Sequence, residues 1–158
     1  MRTTRPQMFM QIAQAVAMRS TCMRLNVGAV LVQGRSIVSI GYNGAPSGAP
    51  HCAGNECPGK HHCHETIHAE MNAVAHLPSE VRASAGVTRS RLDLYVTDSP
   101  CAACFKELDR MDLVQRIFFG TPYRITDHLK SEKIGIYRVL PAGYIVDWNT
   151  RELVDVET

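Results

Sequence analysis

The chain has 158 residues, 45% of them hydrophobic and 20% charged, with a formal net charge of +2. That length and composition suit one globular domain, residues 1–158, and exclude a disordered chain. The charge is too small to select nucleic acid or membrane by bulk electrostatics, and the apolar runs fall short of the roughly 20 residues of a membrane helix. The N-terminal stretch "MRTTRPQMFMQIAQAVAMRSTC" is interrupted by polar residues and lacks the apolar core of a signal peptide, so a cytoplasmic location is expected. In a reducing compartment, the six cysteines are expected as metal ligands or buried thiols rather than disulfides.

Residues 6–19 place Phe9, Ile12, Val16 and Met18 among Ala and Gln, which predicts an amphipathic helix. The runs "VGAVLVQ" (27–33) and "SIVSIGY" (36–42) are β-branched and separated by Gly34-Arg35, which predicts a hairpin. The next stretch, 43–64, is rich in Gly, Pro, Cys and His and too long for an ordinary connection. A helix is expected over 66–77, ended by Pro78, and a strand over 91–98. Another helix is expected over 99–111, with Ser99 as N-cap and Pro100 at its first position. A strand at 114–120, a short helix near 126–133 and a strand near 136–140 complete the order; the last stretch, "GYIVDWNTRELVDVET", fits no element. Strands alternating with helices are expected to run parallel. The fold expected is a three-layer α/β/α sandwich with a mixed five-stranded sheet.

Two short motifs carry the chemistry. His68-Ala69-Glu70 opens one predicted helix, and Pro100-Cys101-Ala102-Ala103-Cys104 opens the next. Residues three apart share a helix face, and a helix N-terminus favours the thiolates that bind metal. One histidine and two cysteines make three ligands, leaving the fourth position of a zinc ion open, as catalysis requires. Glu70 lies too close to His68 to serve easily as a further ligand, but it can carry protons between water and a substrate. Alone, His-x-Glu is a common helix-surface coincidence, and Cys-x-x-Cys is found in redox motifs and structural zinc sites. Together, H-x-E and P-C-x-x-C form the recognised signature of zinc-dependent nucleobase deaminases.

On these residues the chain resembles the cytidine deaminase superfamily, and within it the deoxycytidylate deaminases. "STCMRLNVGAVLV", "GYNGAPSGAPHC", "TIHAEMNAV", "LYVTDSPCAAC" and "TPYR" are similar to successive blocks of that family and span residues 20–124, about two-thirds of the chain. The GYNGxPxGxxHC block points to deoxycytidylate rather than to free bases, nucleosides or tRNA. Leu25 stands where these enzymes often carry a second basic residue, and Asp98 where an apolar or neutral residue is commoner.

The resemblance implies a cytidine deaminase-like fold and the conversion of dCMP to dUMP and ammonia, a step that feeds thymidylate synthesis. It implies a catalytic zinc on His68, Cys101 and Cys104, with Glu70 moving protons to ring N3 and to the departing amine. Asn43 is expected at the sugar 3′-hydroxyl and Arg24 near the phosphate. Ala69, Tyr123 and Arg124 are expected in the nucleotide pocket. It also implies a homo-oligomer, most often a hexamer, activated by dCTP with Mg2+ and inhibited by dTTP. Gly41, Gly44 and Gly48 would allow close approach of a phosphate or sugar.

Four cysteines remain: Cys22, Cys52, Cys57 and Cys63. Four can close a structural zinc site, which would fix the shape of the Gly/Pro-rich loop. Some relatives bind such a second zinc from the places of Cys22 and Cys52. His51, His61, His62 or His64 can replace one of the cysteines. Competing readings are another deaminase (tRNA adenosine or cytosine), a non-catalytic zinc module that binds a partner, and a single-stranded DNA deaminase. The low net charge argues against tRNA, Glu70 against a purely structural site, and the 6% aromatic content against base-stacking platforms.

Overall fold

The computed structural model describes residues 2–51, 66–87 and 91–156. The chain opens with α1 (Arg5–Ala17), whose start is fixed by a capping box. Thr4 Oγ1 accepts from the Gln7 backbone N–H, and Gln7 Oε1 accepts from the Thr4 N–H, so two otherwise orphaned donors are satisfied. The hairpin follows as β1 (Gly28–Gln33) and β2 (Ser36–Tyr42), antiparallel as expected. Then come α2 (Ala69–Ala75), α3 (Ser79–Val87), β3 (Leu92–Asp98), α4 (Ala102–Met111), β4 (Val114–Thr121) and β5 (Gly135–Val139). Two short strands, β6 (Ile145–Asp147) and β7 (Leu153–Val154), end the chain.

The strands form one sheet in the order β2-β1-β3-β4-β5-β6-β7. The β3–β4 and β4–β5 pairs are parallel, as strand–helix alternation predicts, and the other pairs are antiparallel. Alternation along each strand sends side chains to two cores. Leu92, Leu94, Val96, Ile117 and Phe119 pack with Ala69, Ala73, Phe105 and Leu108, on the side of α2, α3 and α4. Val30, Val32, Tyr95 and Phe118 pack with Phe9, Met10, Ala13 and Val16 of α1 on the opposite side. The expected three-layer α/β/α sandwich is therefore present.

Four details differ from expectation. Among the described residues the sheet has seven strands, not five: "IVD" and "LV" pair as β6 and β7 across a turn in which Asp147 Oδ1 accepts from the Asn149 and Thr150 N–H groups. Strands of two or three residues are too short to show alternation. The stretch 126–133 is not a helix but a turn closed by Leu129 N–H to Thr126 O (3.0 Å), with Leu129 buried as its anchor. The stretch after Pro78 is helical: α3 begins directly after that proline, which ends one helix and precedes another. Finally, Cys101 rather than Ser99 is the N-cap of α4. Ser99 instead extends the sheet, its N–H donating to Thr121 O at 2.9 Å.

Two glycines set the spacing of the layers. A Cβ at Gly28 would collide with the α1 backbone at Ala13 and Ala17, and one at Gly41 with the α2 backbone at Ala69 and Ala73. Gly41 thus admits α2 against β2 rather than a ligand.

Candidate active site

His68 is the N-cap of α2, in extended backbone geometry, and Cys101 is the N-cap of α4 in the same geometry. The helix starts therefore deliver both motifs to one place. His68 Nδ1 lies 3.5 Å from Cys101 Sγ and 3.3 Å from Cys104 Sγ. All three potential ligand atoms lie within 4.8 Å of one another. Cys104 is buried, Cys101 is half-buried and His68 is exposed, so the cluster is walled on one side and open on the other.

The electrostatics are those of donors gathered for a cation. The hydrogen bond from Cys104, helped by His68, pushes the Cys101 thiol down to about 3. The same bond, together with burial, pushes Cys104 up. The two sulfurs are thus coupled through that bond, and the pair gives up its first proton readily. The hydrogen bond with Cys101 raises His68 against the effect of its own burial. Glu70, on the first turn of α2, is 4% exposed, and burial pushes its carboxyl up to about 7. One imidazole and two sulfurs are a borderline-soft donor set that fits zinc and leaves a position open.

The corner before Cys101 is held from outside the motif. His128 Nε2 donates to Pro100 O at 2.8 Å, and its ring meets Phe105 edge-on at 6.0 Å. The Tyr123 N–H donates to Ser99 Oγ at 2.8 Å. Sequence reading missed His128, because it belongs to no spaced motif and reaches the corner only through the turn after β4. Tyr123 lies beside this corner, with the Arg124 guanidinium 5.1 Å over its ring.

Ala69 is fully buried at the start of α2, beneath the motif. Asn43 is 6% exposed, and its side chain is engaged by residues 20–27. Arg24 and His51 are exposed. Asp98 ends β3, half-buried, and accepts from Thr97 Oγ1 at 2.9 Å; burial raises its carboxyl, and its charge contributes to raising Glu70. Cys22 is half-buried, and a charge there adds to the elevation of His68. Cys52, Cys57, Cys63, His61, His62 and His64 lie outside the described residues.

A sheet with helices on both faces, and a His/Cys/Cys cluster at two helix starts beside a buried glutamate, define a zinc-hydrolase type of centre. The sequence model of the cytidine and deoxycytidylate deaminase zinc-binding region matches residues 3–121, and the chain belongs to that family. ComE operon protein 2 of Bacillus subtilis (strain 168) is 36% identical over 151 residues, 92% of this chain and 77% of that protein. The deoxycytidylate deaminase of Mycobacterium phage D29 is 39% identical over 111 residues, 61% of this chain and 79% of that one. The crystal structure of dCMP deaminase from cyanophage S-TIM5 in complex with dCMP and dUMP is similar at a TM-score of 0.68 and 28% identity, covering 83% of this chain and 93% of that one. Among the described residues, no helix is long and apolar enough to cross a membrane.

Proposed function

We propose that this chain catalyses the zinc-dependent hydrolytic deamination of dCMP to dUMP and ammonia. The observation that carries the reading is the buried Glu70 two residues from His68, with His68, Cys101 and Cys104 converging within 4.8 Å. The family match and the likeness to a dCMP deaminase holding dCMP and dUMP support the choice of substrate.

His68, Cys101 and Cys104 would hold the zinc ion. When bound, zinc supplies a polarised water that loses a proton near neutral pH. Glu70 performs the proton transfers. It accepts a proton from the attacking water and gives it to ring N3 as the oxygen adds to C4. It then takes the proton of the hydroxyl now on C4 and passes it to the exocyclic amine, so that the C4 carbonyl forms, the C4–N bond breaks and ammonia leaves. Burial serves this role, because it keeps the two protonation states of Glu70 close in energy. The starts of α2 and α4 bring donor groups and positive dipole ends to the same place, which suits anionic ligand atoms there.

The test is ammonia release from dCMP, CMP, deoxycytidine, cytosine, dCTP and tRNA. Turnover of dCMP above the others is expected; no release from dCMP overturns the reading. We extend it to a second, structural zinc on Cys22, Cys52, Cys57 and Cys63, and to a cytoplasmic homohexamer activated by dCTP with Mg2+ and inhibited by dTTP. The cysteine density and the family resemblance support these extensions. A hyperbolic dCMP saturation curve, unchanged by dCTP or dTTP, would remove the regulatory part.

A further inference from the structure

The helix that follows His68 and carries Glu70 is short: α2 runs from Ala69 to Ala75, seven residues. Helices of that length are not stable alone in water, and the last carbonyls of any helix lack partners within it. Three side chains supply donors at the C-terminal end of α2. The His76 ring donates from Nδ1 to Asn72 O at 2.8 Å. Ser39 Oγ, buried in β2, donates to Ala73 O at 2.6 Å. Arg82 Nη2, from α3, donates to Val74 O at 2.5 Å. Val74 O also accepts the Leu77 N–H at 3.2 Å, so the guanidinium reinforces a long backbone bond.

These donors come from different elements and do different work. The contact of α2 with Gly41 is backbone against backbone, and it stops the helix from moving closer to the sheet without holding it there. Ser39 provides a hold from the sheet, and Asn72 Nδ2 adds another by donating to Tyr42 O at 2.7 Å. Arg82 provides a hold from α3, and a cation suits the negative end of a helix. Its own backbone is fixed: the Arg82 N–H donates to Pro78 O at 3.0 Å, and Ala85, one turn on, is 2% exposed. Val74 follows Glu70 by four residues, so the two share one face of α2, and both are buried. The carbonyl that Arg82 grips is therefore one helical turn from the proton carrier.

We propose that Arg82 is a positioning residue for the reaction: its bond to Val74 O sets where α2 lies, and so where His68 and Glu70 stand. This rests on the dCMP reading above. Arg82 belongs to neither motif and acts on turnover through the helix. A misplacement of about 1 Å at a catalytic group can cost about a hundredfold in rate; loss of one hold among several should cost less, about tenfold. The loss should fall on kcat rather than on substrate binding.

The experiment compares the wild type with R82A, R82K and E80A. Glu80 is an exposed residue in the first turn of α3, so E80A controls for a general disturbance of that helix. On zinc-loaded protein, well below the unfolding midpoint, kcat and KM for dCMP are measured, together with the rate of zinc release to a chromogenic chelator. R82A should lower kcat about tenfold, change KM less than about twofold and speed zinc release several-fold. R82K returns a cation and a donor, and should bring kcat back to within about threefold of the wild type. E80A should behave as the wild type. A lower unfolding midpoint in R82A, with kcat and zinc release unchanged, overturns the proposal, because Arg82 would then only stabilise the fold. A raised KM at unchanged kcat overturns it too, as do equal losses in R82A and R82K or in R82A and E80A. A wild type that releases no ammonia from dCMP defeats the functional reading instead, and the zinc-release comparison still decides the role of Arg82.

Discussion

His128 and Pro100 are 28 positions apart, and a hydrogen bond of 2.8 Å from the His128 ring to the Pro100 carbonyl ties the turn after β4 to the residue before Cys101. The bond restrains the peptide that aims the Cys101 sulfur. His128→Ala should cost about 1 kcal/mol of stability, the usual net worth of one hydrogen bond. It should also speed zinc loss to a competing chelator several-fold. Stopped-flow release into a chromogenic chelator checks this; release at the wild-type rate would show that the corner is held without His128.

Glu70→Gln removes the proton carrier and keeps the size of the side chain. Zinc content should stay at the wild-type level, and ammonia release from dCMP should fall at least about a hundredfold, the common value of positioned acid–base catalysis. Activity above a tenth of wild type, on the same zinc-loaded preparation, would remove Glu70 from the proposed role.

Metal analysis of protein purified without chelator should give about two zinc ions per chain, one on the open three-ligand set and one on the proposed structural set. Cys101→Ser should lower this by about one and abolish turnover, while Cys22→Ser should remove the other. A single zinc in the wild type, with the four non-motif cysteines all open to a thiol reagent, would exclude the structural site.

Gly41→Ala places a methyl group against the backbone of Ala69 and Ala73, neither of which can turn aside as a side chain can. Overpacking of this kind typically costs about 1–3 kcal/mol. Because α2 carries His68 and Glu70, kcat should fall along with the unfolding midpoint. A fully active variant of unchanged stability would show that α2 can shift without disturbing the site.

The legible part of this sequence was whatever repeats at short range. The β-branched runs of the hairpin, the apolar stripe of α1 and the two motifs at helix starts were all readable from local spacing, and the structure brings those motifs together. His128 was not readable, because its role depends on where the turn after β4 lands. The helix α3 was hidden by Pro78, which serves as a stop signal for α2 and sits equally well just before α3. β6 and β7 are too short to show a period, and the Asp147 turn that joins them has a signature only once the ladder is known. Family likeness led to an expectation of Asn43 at the sugar, whereas its bonds to Ser20, Leu25 and Val27 exist only in the folded chain.

Ala29 pairs with Gly41 and Gly28 with Tyr42, so the two glycines that admit helices sit one rung apart on adjoining strands. Gly28 receives α1 on one face, and Gly41 receives α2 on the other. At that rung the three layers are stacked backbone on backbone, with no side chain between to act as a spring. A disturbance on the α1 face therefore has a rigid route to the helix that bears His68. A library meant to alter activity does best to hold both glycines fixed and vary exposed positions, where side chains can give.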